Sequence, residues 1–359
     1  MLTIIVPTLN EAENLPELNA RVSAALAGVD YELVIVDDSS DDGTEDVVRS
    51  LSAQYPVRMI SRAGKPRDLS WSVIDGIEAA TSSTVLVMDA DLSHPPERIP
   101  AMLARLKETP GAFVIGSRYV EGGTFDREWS VWRFLNSTFA TVLARPLVKC
   151  NDPMSGFFLF NRDRLGDRAK LRPIGYKIGL ELMVRGNFDA IVEVPIEFAD
   201  RARGESKMTL AQQFNYLRHL RRLYLRKFGG VAEFIHFGAV GASGFVIDVA
   251  VYYLVQGFGA PHQVARAISF WPAVSWNWAI NRRMTFGDRR KRPRAKQWFE
   301  FVGMSIVGFT INWGVYYFLT MRVAFFDHYR ILALVSGVGV ASVFNFAAST
   351  VFVYSDNRR

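Results

Sequence analysis

Apolar runs that end in polar turns alternate with segments of helical periodicity through the first third of the chain. Short apolar runs bounded by Pro, Asp, Ser and Gly are typical of buried strands. Their alternation with helical segments predicts an α/β domain with a mostly parallel sheet. The predicted strands are 2–6, 31–36, 57–61, 84–88 and 112–116, and the predicted helices between them include 13–26, 68–80 and one that ends at 107.

The central predicted strand ends in two carboxylates, Asp89 and Asp91. In an open α/β sheet, ligands bind just beyond the carboxyl ends of the strands, so both side chains are expected at a ligand crevice. Two nearby carboxylates can hold Mg²⁺ or Mn²⁺, which is typically shared with substrate phosphates. A second acidic turn, 37–44, can receive the base and ribose of a nucleotide. A solvated Asp-x-Asp turn and an ordinary polar turn are the alternatives for these motifs taken alone.

Longer apolar stretches fill the last third of the chain, and four of them are long enough to cross a bilayer. Two amphipathic helices with Arg and Lys on the polar side come before them, near 129–148 and 208–228, and are predicted to lie in the membrane interface. Ordinary helices that cover the sheet are the alternative for these two. The pattern predicts a domain at 1–228 and a transmembrane domain at 229–359, with spans near 233–257, 263–283, 299–321 and 331–354.

Composition supports a membrane protein. The 359 residues are 49% hydrophobic and 13% aromatic, and the net charge is +6. We assign the basic excess to anionic lipid headgroups, because no nucleic-acid-binding motif is present. The single cysteine, Cys150, excludes an intrachain disulfide and a Cys-based zinc site. The amino terminus is predicted to be a strand and lacks the features of a signal peptide.

Basic residues between the predicted spans indicate the orientation. They are concentrated before the first span, between 282 and 296, and after the fourth span, whereas the loops 257–263 and 322–330 are poorer in charge. The positive-inside rule therefore predicts that both termini face the cytoplasm. The first domain is then expected at the cytoplasmic face of a multi-pass protein of the plasma membrane.

The membrane half contains an internal repeat. Residues 244–248 correspond to 308–312 (308 − 244 = 64), and 276–279 correspond to 344–347 (345 − 277 = 68). Two hairpins of the same orientation make a parallel repeat. Asp248 falls inside the first span, where an ionisable group is costly. It is interpreted either as a polar contact in a lipid pathway or as a helix–helix hydrogen bond.

Several of these motifs together resemble a known family. Residues 1 to about 210 resemble the family-2, GT-A-fold (Rossmann-like) glycosyltransferases, and more closely the polyprenyl-phosphate mannose or glucose synthases of the dolichol-phosphate mannose synthase group. The membrane half resembles the small GtrA-like family. The Gln-x-x-Arg-Trp motif of processive family-2 enzymes is absent. The stretches that carry the first resemblance are 5–11, 36–44, 89–97, 116–119, 152–157 and 201–207.

The resemblance implies a role for individual residues. Those expected to line the nucleotide sugar are Pro7, Leu9, Glu11, Val36, Asp38, Asp89, Ala90, Asp91, Arg201 and Lys207. Asp91 is the expected main metal ligand, with Asp89 and Ser93, for Mg²⁺ or Mn²⁺. The expected ligands of the acceptor phosphate are Arg118, Arg133 and Ser137, which with Asp89 and Asp91 form the expected catalytic group.

The expected reaction is the transfer of one sugar to polyprenyl (dolichyl) phosphate with inversion, at the cytoplasmic membrane face. The expected donor is GDP-mannose, and UDP-glucose is the alternative. A different class of function, a lipid-linked-sugar flippase or scaffold with an inactive transferase domain, is also retained. The expected partners are therefore the nucleotide sugar, the lipid phosphate and membrane lipids, with homo-oligomers left open and nucleic acid excluded.

Overall fold

The computed structural model describes residues 1–125, 131–167, 171–198, 210–287, 289 and 292–355, with the backbone alone at 125, 131–137, 210 and 211. The chain divides into two compact units, Met1–Lys227 and Phe228–Arg359.

A seven-stranded sheet forms the centre of the first unit, in the order β3-β2-β1-β4-β7-β5-β8. All its paired strands are parallel except β7, which runs antiparallel to β4 and β5. The predicted mostly parallel α/β sheet is thus confirmed. The strands are β1 (Leu2–Thr8), β2 (Tyr31–Asp37), β3 (Val57–Ser61), β4 (Thr84–Val87), β5 (Phe113–Ser117), β6 (Thr124–Phe125), β7 (Phe158–Asn161), β8 (Ile191–Pro195) and β9 (Glu197–Phe198), with β6 and β9 forming a separate pair.

Helices cover both faces of this sheet, which explains why its strands are almost continuously apolar. One face packs against α3 and the other against α1 and α4. The approach of α3 to β1 requires a glycine, because a Cβ on Gly76 would lie 2.5 Å from Ile5 Cγ2. The helices of this unit are α1 (Leu15–Ala25), α2 (Thr44–Leu51), α3 (Leu69–Ala79), α4 (Ile99–Glu108), α5 (Val131–Ala144), α6 (Ile178–Arg185) and α7 (Leu210–Phe228).

The two helices predicted to lie in the membrane interface, α5 and α7, also contribute to the core. Leu220 and Leu223 of α7 are buried, and the Tyr216 hydroxyl donates to the Ala140 carbonyl of α5 at 2.6 Å. Other apolar side chains of these helices are more than half exposed, namely Phe139, Val142 and Phe214. The helices therefore cover the sheet, as the alternative held, and present an apolar surface as well. Their position in the interface stays a prediction.

The second unit is helical. Among the residues that the structure describes, three of its helical segments are long and apolar enough to cross a membrane: Gly230–Gly257, Arg294–Arg322 and Arg330–Val353. The remaining predicted span, 263–283, corresponds to α9, a helix of 19 residues that is not among them because Arg266, Pro272 and Asn277 lower its hydropathy. A count of four spans therefore stays a prediction. The helices are α8 (Gly230–Gly257), α9 (His262–Ile280), α10 (Arg294–Arg322), α11 (Ala324–His328) and α12 (Arg330–Ala348).

The internal repeat is visible in this unit as two helical hairpins, α8–α9 and α10–α12. Each hairpin ends in a five-residue π-helical turn, Asn281–Thr285 in the first and Ser349–Val353 in the second, at the offset of 68 found in the sequence. Phe286 and Tyr354, which follow these turns at the same offset, stack on each other with ring centroids 4.4 Å apart. The two halves thus share one architecture.

Candidate active site

The carboxyl ends of β1, β2 and β4 lie side by side, because these strands are adjacent and parallel. Pro7 and Val36 are register partners near those ends, and both are buried. The loop after each strand therefore opens at one edge of the sheet. This edge brings together most of the residues predicted to line the nucleotide sugar.

Hydrogen bonds tie the loop after β1 to the loop after β2. Asn10 has a positive φ of 58°, and its N–H donates to Ser40 Oγ at 2.8 Å while its Oδ1 accepts from the Asp41 N–H at 3.0 Å. Asp42 accepts from the Ala12 N–H at 2.8 Å. Burial opposes ionisation of Asp42, but hydrogen bonds from Thr44 and Ala12 outweigh it and lower its pKa.

The predicted nucleotide residues Leu9 and Glu11 belong to the first of these cross-linked loops. The Leu9 side chain is exposed, and Glu11 Oε2 accepts from Asn14 Nδ2 at 2.5 Å. Because the two loops are bonded to each other, Leu9 and Glu11 are held beside the acidic turn that follows β2. The contacts of Leu9 and Glu11 with the nucleotide stay predictions.

Asp38 lies in a buried network that sequence reasoning missed. Its carboxylate pairs with Arg62 and accepts from the Asp68 N–H at 2.6 Å. Arg62 is itself buried and also donates to Asp75 at 2.9 Å. The only sequence signal for Arg62 is its position directly after β3. The network fixes Asp38 at the site edge, and its contact with the nucleotide stays a prediction.

The turn after β4 holds the two carboxylates in different environments. Asp91 is buried, and its Oδ1 accepts from the Ser93 N–H at 3.1 Å and from the Ser93 hydroxyl at 2.6 Å. The Asp89 side chain is 36% exposed, and the backbone N–H of Asp89 donates to His94 Nδ1 at 3.0 Å. His94, which sequence reasoning missed, is buried against Phe157. Ser93 therefore supports Asp91 directly, and its predicted bond to a metal stays a prediction.

The residues around Asp89 fit a metal ion that arrives with a phosphate ligand. In the described parts of the chain, no group of three or more His, Cys, Asp or Glu side chains can hold a metal by itself. Space beside the Asp89 carboxylate depends on Gly156, because an added Cβ would lie 3.4 and 3.5 Å from its two oxygens. Two carboxylates completed by phosphate oxygens and water are the ligands that Mg²⁺ typically takes.

Arg118 is held rigidly at the end of β5. Its Nε and Nη2 donate to the two oxygens of Asp152 at 2.8 and 2.9 Å, and Asp152 is fully buried. The guanidinium also lies over the Phe198 ring, 4.9 Å from its centroid. Burial works against the charge of Arg118, but the bonds to Asp152 outweigh it and raise its pKa. A cation fixed in this way suits the recognition of an anionic group.

Comparison with known proteins agrees with both units. Residues 3–168 match the family described as Glycosyl transferase family 2, and residues 236–354 match the family described as GtrA/DPMS, transmembrane domain. The dolichol-phosphate mannosyltransferase of Pyrococcus furiosus is 36% identical over 348 residues, which are 96% of this chain and 97% of that protein. The chain belongs to the dolichol-phosphate mannosyltransferase family. Both resemblances found in the sequence are confirmed.

Other relatives cover mainly the first unit. The dolichol-phosphate mannosyltransferase of Saccharomyces cerevisiae is 37% identical over 267 residues, which are 70% of this chain and 98% of that protein. Among solved structures, the glucosyl-3-phosphoglycerate synthase of Mycobacterium tuberculosis superposes with a TM-score of 0.48 at 20% identity, over 63% of this chain and 79% of that one. The second unit matches a transmembrane family and contains three apolar helical segments among its described residues. The chain is therefore a membrane protein.

Four of the predicted site residues cannot be placed by their side chains. Arg201 and Lys207 lie outside the described residues. Residues 133 and 137 lie one turn apart on α5, where the backbone alone is described. The roles of Arg133 and Ser137 at the acceptor phosphate, and of Arg201 and Lys207 at the donor diphosphate, stay predictions for this member of the family.

Lys177 is a further cation that sequence reasoning missed. It directly precedes α6, and its Nζ donates to the Met154 carbonyl at 3.1 Å. Burial lowers the pKa of Lys177 to about 8, and the positive charge of Arg118 acts in the same direction, against the opposing charges of Asp152 and Asp89. It lies outside the six stretches that carry the family resemblance, which is why sequence reasoning had no signal for it.

Proposed function

We propose that this chain transfers one mannose from GDP-mannose to polyprenyl phosphate, with inversion at the anomeric carbon, at the cytoplasmic face of the plasma membrane. The observation that carries the proposal is the similarity to the Pyrococcus furiosus dolichol-phosphate mannosyltransferase, which extends over 96% of the chain and so includes both units. The paired carboxylates Asp89 and Asp91 at the carboxyl edge of the sheet support it, because this is where an α/β sheet binds ligands.

The donor is assigned to the edge formed by β1, β2 and β4. The cross-linked loops that carry Leu9, Glu11 and Asp38 receive the nucleoside, and Arg201 and Lys207 bind the diphosphate. Asp91 and Asp89 hold Mg²⁺ or Mn²⁺, with Ser93 in support of Asp91. When bound, this cation neutralises charge on the departing nucleoside diphosphate.

The acceptor needs no general base. A phosphate monoester has its second pKa at about 6, so an ionised oxygen is already present near neutral pH. The protein then has to position this nucleophile and stabilise the charge of the leaving group. Arg118, whose orientation Asp152 fixes, does so together with Arg133 and Ser137. Attack on the face of the sugar opposite the nucleotide inverts the anomeric carbon.

The second unit anchors the enzyme in the bilayer. We assign α8, α9, α10 and α12 as four spans. The helix α9 is included because its hairpin with α8 is equivalent to the hairpin of α10 with α12. With four spans, the basic loop between the hairpins and both termini face the cytoplasm. Nucleotide sugars and the catalytic unit then occupy the same compartment, while α5 and α7 lie at the interface where the lipid phosphate is located.

A screen of donors tests this proposal. The full chain, purified in detergent, is incubated with polyprenyl phosphate and either GDP-mannose, UDP-glucose or other nucleotide sugars, and the lipid product is identified by mass spectrometry. We expect polyprenyl-phosphate-mannose, and we expect its formation to stop when divalent cations are chelated. If product formed only from UDP-glucose, the donor would be UDP-glucose and not GDP-mannose. If no donor gave product, a flippase or scaffold would be favoured.

A further inference from the structure

One short segment lies against three charged groups of the candidate site. In the segment 152–156, which directly precedes Phe157 and β7, the side chain of Asp152 binds Arg118 and the carbonyl of Met154 accepts from Lys177. The third alternate residue, Gly156, leaves the space beside the Asp89 carboxylate. Alternate residues of a single segment therefore bind two cations, Arg118 and Lys177, and lie beside the carboxylate of Asp89.

Lys177 differs from Arg118 in its partners. Arg118 has a buried carboxylate on two of its nitrogens. In the described part of the chain, the Lys177 ammonium has no carboxylate within 4.0 Å, and its contacts are the Met154 carbonyl and the Tyr176 ring, whose centroid is 4.7 Å away. An ammonium donates three hydrogen bonds. A partly buried cation without a counter-charge is costly unless an anion completes its surroundings.

We propose that the Lys177 ammonium is a phosphate ligand at the reaction centre, beside Arg118. This inference rests on the proposed function, since it takes the phosphate to be that of a substrate. The lipid phosphate and the diphosphate of the donor offer the same chemistry, an oxygen that carries negative charge. Such an anion satisfies the remaining N–H groups of Lys177 and supplies the missing counter-charge.

Steady-state kinetics with matched variants test the inference. Lys177→Met removes the charge and keeps much of the length, whereas Lys177→Arg keeps the charge. Lys107→Met removes an exposed lysine of α4 and serves as the control. We expect Lys177→Met to raise the KM of one substrate, or to lower kcat, by about tenfold or more, which corresponds to the loss of one charge-assisted hydrogen bond. Lys177→Arg should recover much of the loss, and Lys107→Met should have no effect.

The source of the phosphate follows from which constant changes. A higher KM for polyprenyl phosphate assigns the lipid phosphate. A higher KM for the nucleotide sugar, with weaker binding of the nucleoside diphosphate in calorimetry, assigns the donor. Unchanged constants and unchanged calorimetric affinities in a folded Lys177→Met protein would overturn the inference.

The pH profile adds a measurement that a purely structural lysine would leave unmoved. The groups that act on Lys177 are Arg118, Asp152, Asp89 and the adjacent Tyr176. Binding requires the ammonium, so kcat/KM for the substrate concerned should fall as the pH rises through about 8. Lys177→Arg should move this fall to higher pH, because a guanidinium stays protonated. An identical alkaline limb in Lys177→Arg would contradict the inference.

Failure of the proposed function gives a different result. If the wild-type chain transfers no sugar, the function fails, and calorimetry with the nucleoside diphosphate and with polyprenyl phosphate still tests Lys177. If the wild type transfers sugar and the three variants behave alike in kinetics and binding, only the role of Lys177 fails.

Discussion

The two units bury their polar side chains in opposite ways. In the first unit, the buried charged residues Asp91, Asp152 and Arg62 lie at the carboxyl edge of the sheet and have no repeat counterpart. In the second unit, buried amide oxygens recur at the repeat spacing: that of Asn277 packs against Gly244, and that of Asn345 packs against Gly308. A polar group that returns at equivalent positions serves a need common to both copies, which is packing. For a group without a counterpart, at the edge where ligands bind, we expect a role in the chemistry.

The glycine–asparagine pairs show what that packing need is. A Cβ on either glycine would lie 2.1 Å from the oxygen of its asparagine, so the helices approach closely at these points. The side-chain oxygens of Asn277 and Asn345 have no N–H or O–H donor within the described residues. Each oxygen instead lies over a glycine Cα, an arrangement in which a weak Cα–H···O contact recurs. Small residues at such crossings are typical of helices packed in membranes.

One helix–helix contact differs between the two hairpins. Asp248 occupies the place that Asn312 takes in the second hairpin, and Ser269 occupies the place of Gly337. Asn312 packs on Gly337, whereas Asp248 accepts from Ser269 at 2.6 Å and pairs with Arg266. The contact between Asp248 and Ser269 is a helix–helix hydrogen bond, which was one of the two interpretations of Asp248. A role of Asp248 in a lipid pathway stays a prediction.

The largest effect is expected at Asp91. Asp91→Asn keeps the shape of the side chain and its bonds to Ser93 but removes a charge from the proposed metal ligand. Transfer should fall by about a thousandfold or more, which is typical of the loss of a central electrostatic contact. The melting temperature should change little. Near-normal turnover of this variant in the presence of a chelator would contradict the proposal that the paired carboxylates hold a catalytic metal.

A smaller effect is expected at Gly156. In Gly156→Ala the new methyl group would lie 3.2 Å from His94 Cε1 and beside the Asp89 carboxylate. Its neighbours need to move by only a few tenths of an ångström, so the protein should fold. Displacement of groups at a reaction centre can cost about a hundredfold in rate. Gly303→Ala, at a glycine with no atom within 4 Å of the added Cβ, is the control. Equal rates for the two variants would show that the space beside Asp89 is not used.

Glu32 tests whether every buried charge of the first unit serves the chemistry. Its carboxylate lies near the amino ends of the strands, where burial opposes ionisation but bonds from Thr81, Thr3 and Arg58 outweigh it and lower the pKa to about 2. A lowered pKa stabilises the fold above about pH 4.5, and this contribution is lost as the pH falls towards 2.

The loss for Glu32 should amount to about 2–3 kcal/mol. Thermal unfolding measured between pH 6 and 2 should show a shallower acid-dependent decline for Glu32→Gln than for the wild type. Sugar transfer at neutral pH should be nearly unchanged. A rate loss comparable to that of Asp91→Asn, in a folded protein, would refute the distinction between the two edges of the sheet.

The glycine–asparagine pairs allow a rescue experiment. Gly308→Ala places a methyl group on the oxygen of Asn345 and should destabilise the membrane unit by about 1–2 kcal/mol through overpacking. The double variant Gly308→Ala with Asn345→Ala removes the clash and should regain part of that stability. Detergent melting with tryptophan fluorescence measures both. If the second substitution deepened the loss, Asn345 would have another role that outweighs its contact with Gly308.

The smallest effect is expected when the hairpins are made alike. Asp248→Asn with Ser269→Gly gives the first hairpin the residues of the second at this contact. If Asp248 serves packing alone, sugar transfer in detergent should change little. The free energy of unfolding should change by no more than about 1 kcal/mol. A clear loss of transfer in liposomes, with normal transfer in detergent, would instead assign Asp248 to a step that needs the bilayer.

Sequence patterns predicted the features that depend on local order. The strands β1 to β5 are apolar runs followed by polar turns, and Asp89 and Asp91 are recognisable because they end such a run. The antiparallel β7 was missed because it is short and follows an irregular segment. The missed residues Arg62, His94 and Lys177 owe their positions to contacts with Asp38, Phe157 and Met154, which are distant in the chain and which no local pattern encodes.

In the second unit, the stack of Phe286 on Tyr354 resembles a contact across the symmetry axis of an oligomer. Two equivalent positions touch each other only where they flank a twofold axis, as in the isologous interface of a homodimer. The arrangement of the hairpins corresponds to such a dimer whose subunits have been joined end to end. A true homodimer must carry every side chain twice. When the two copies are joined in one chain, a charged pair can occur on one side of the axis alone. The pair of Asp248 and Arg266 is present only in the first hairpin.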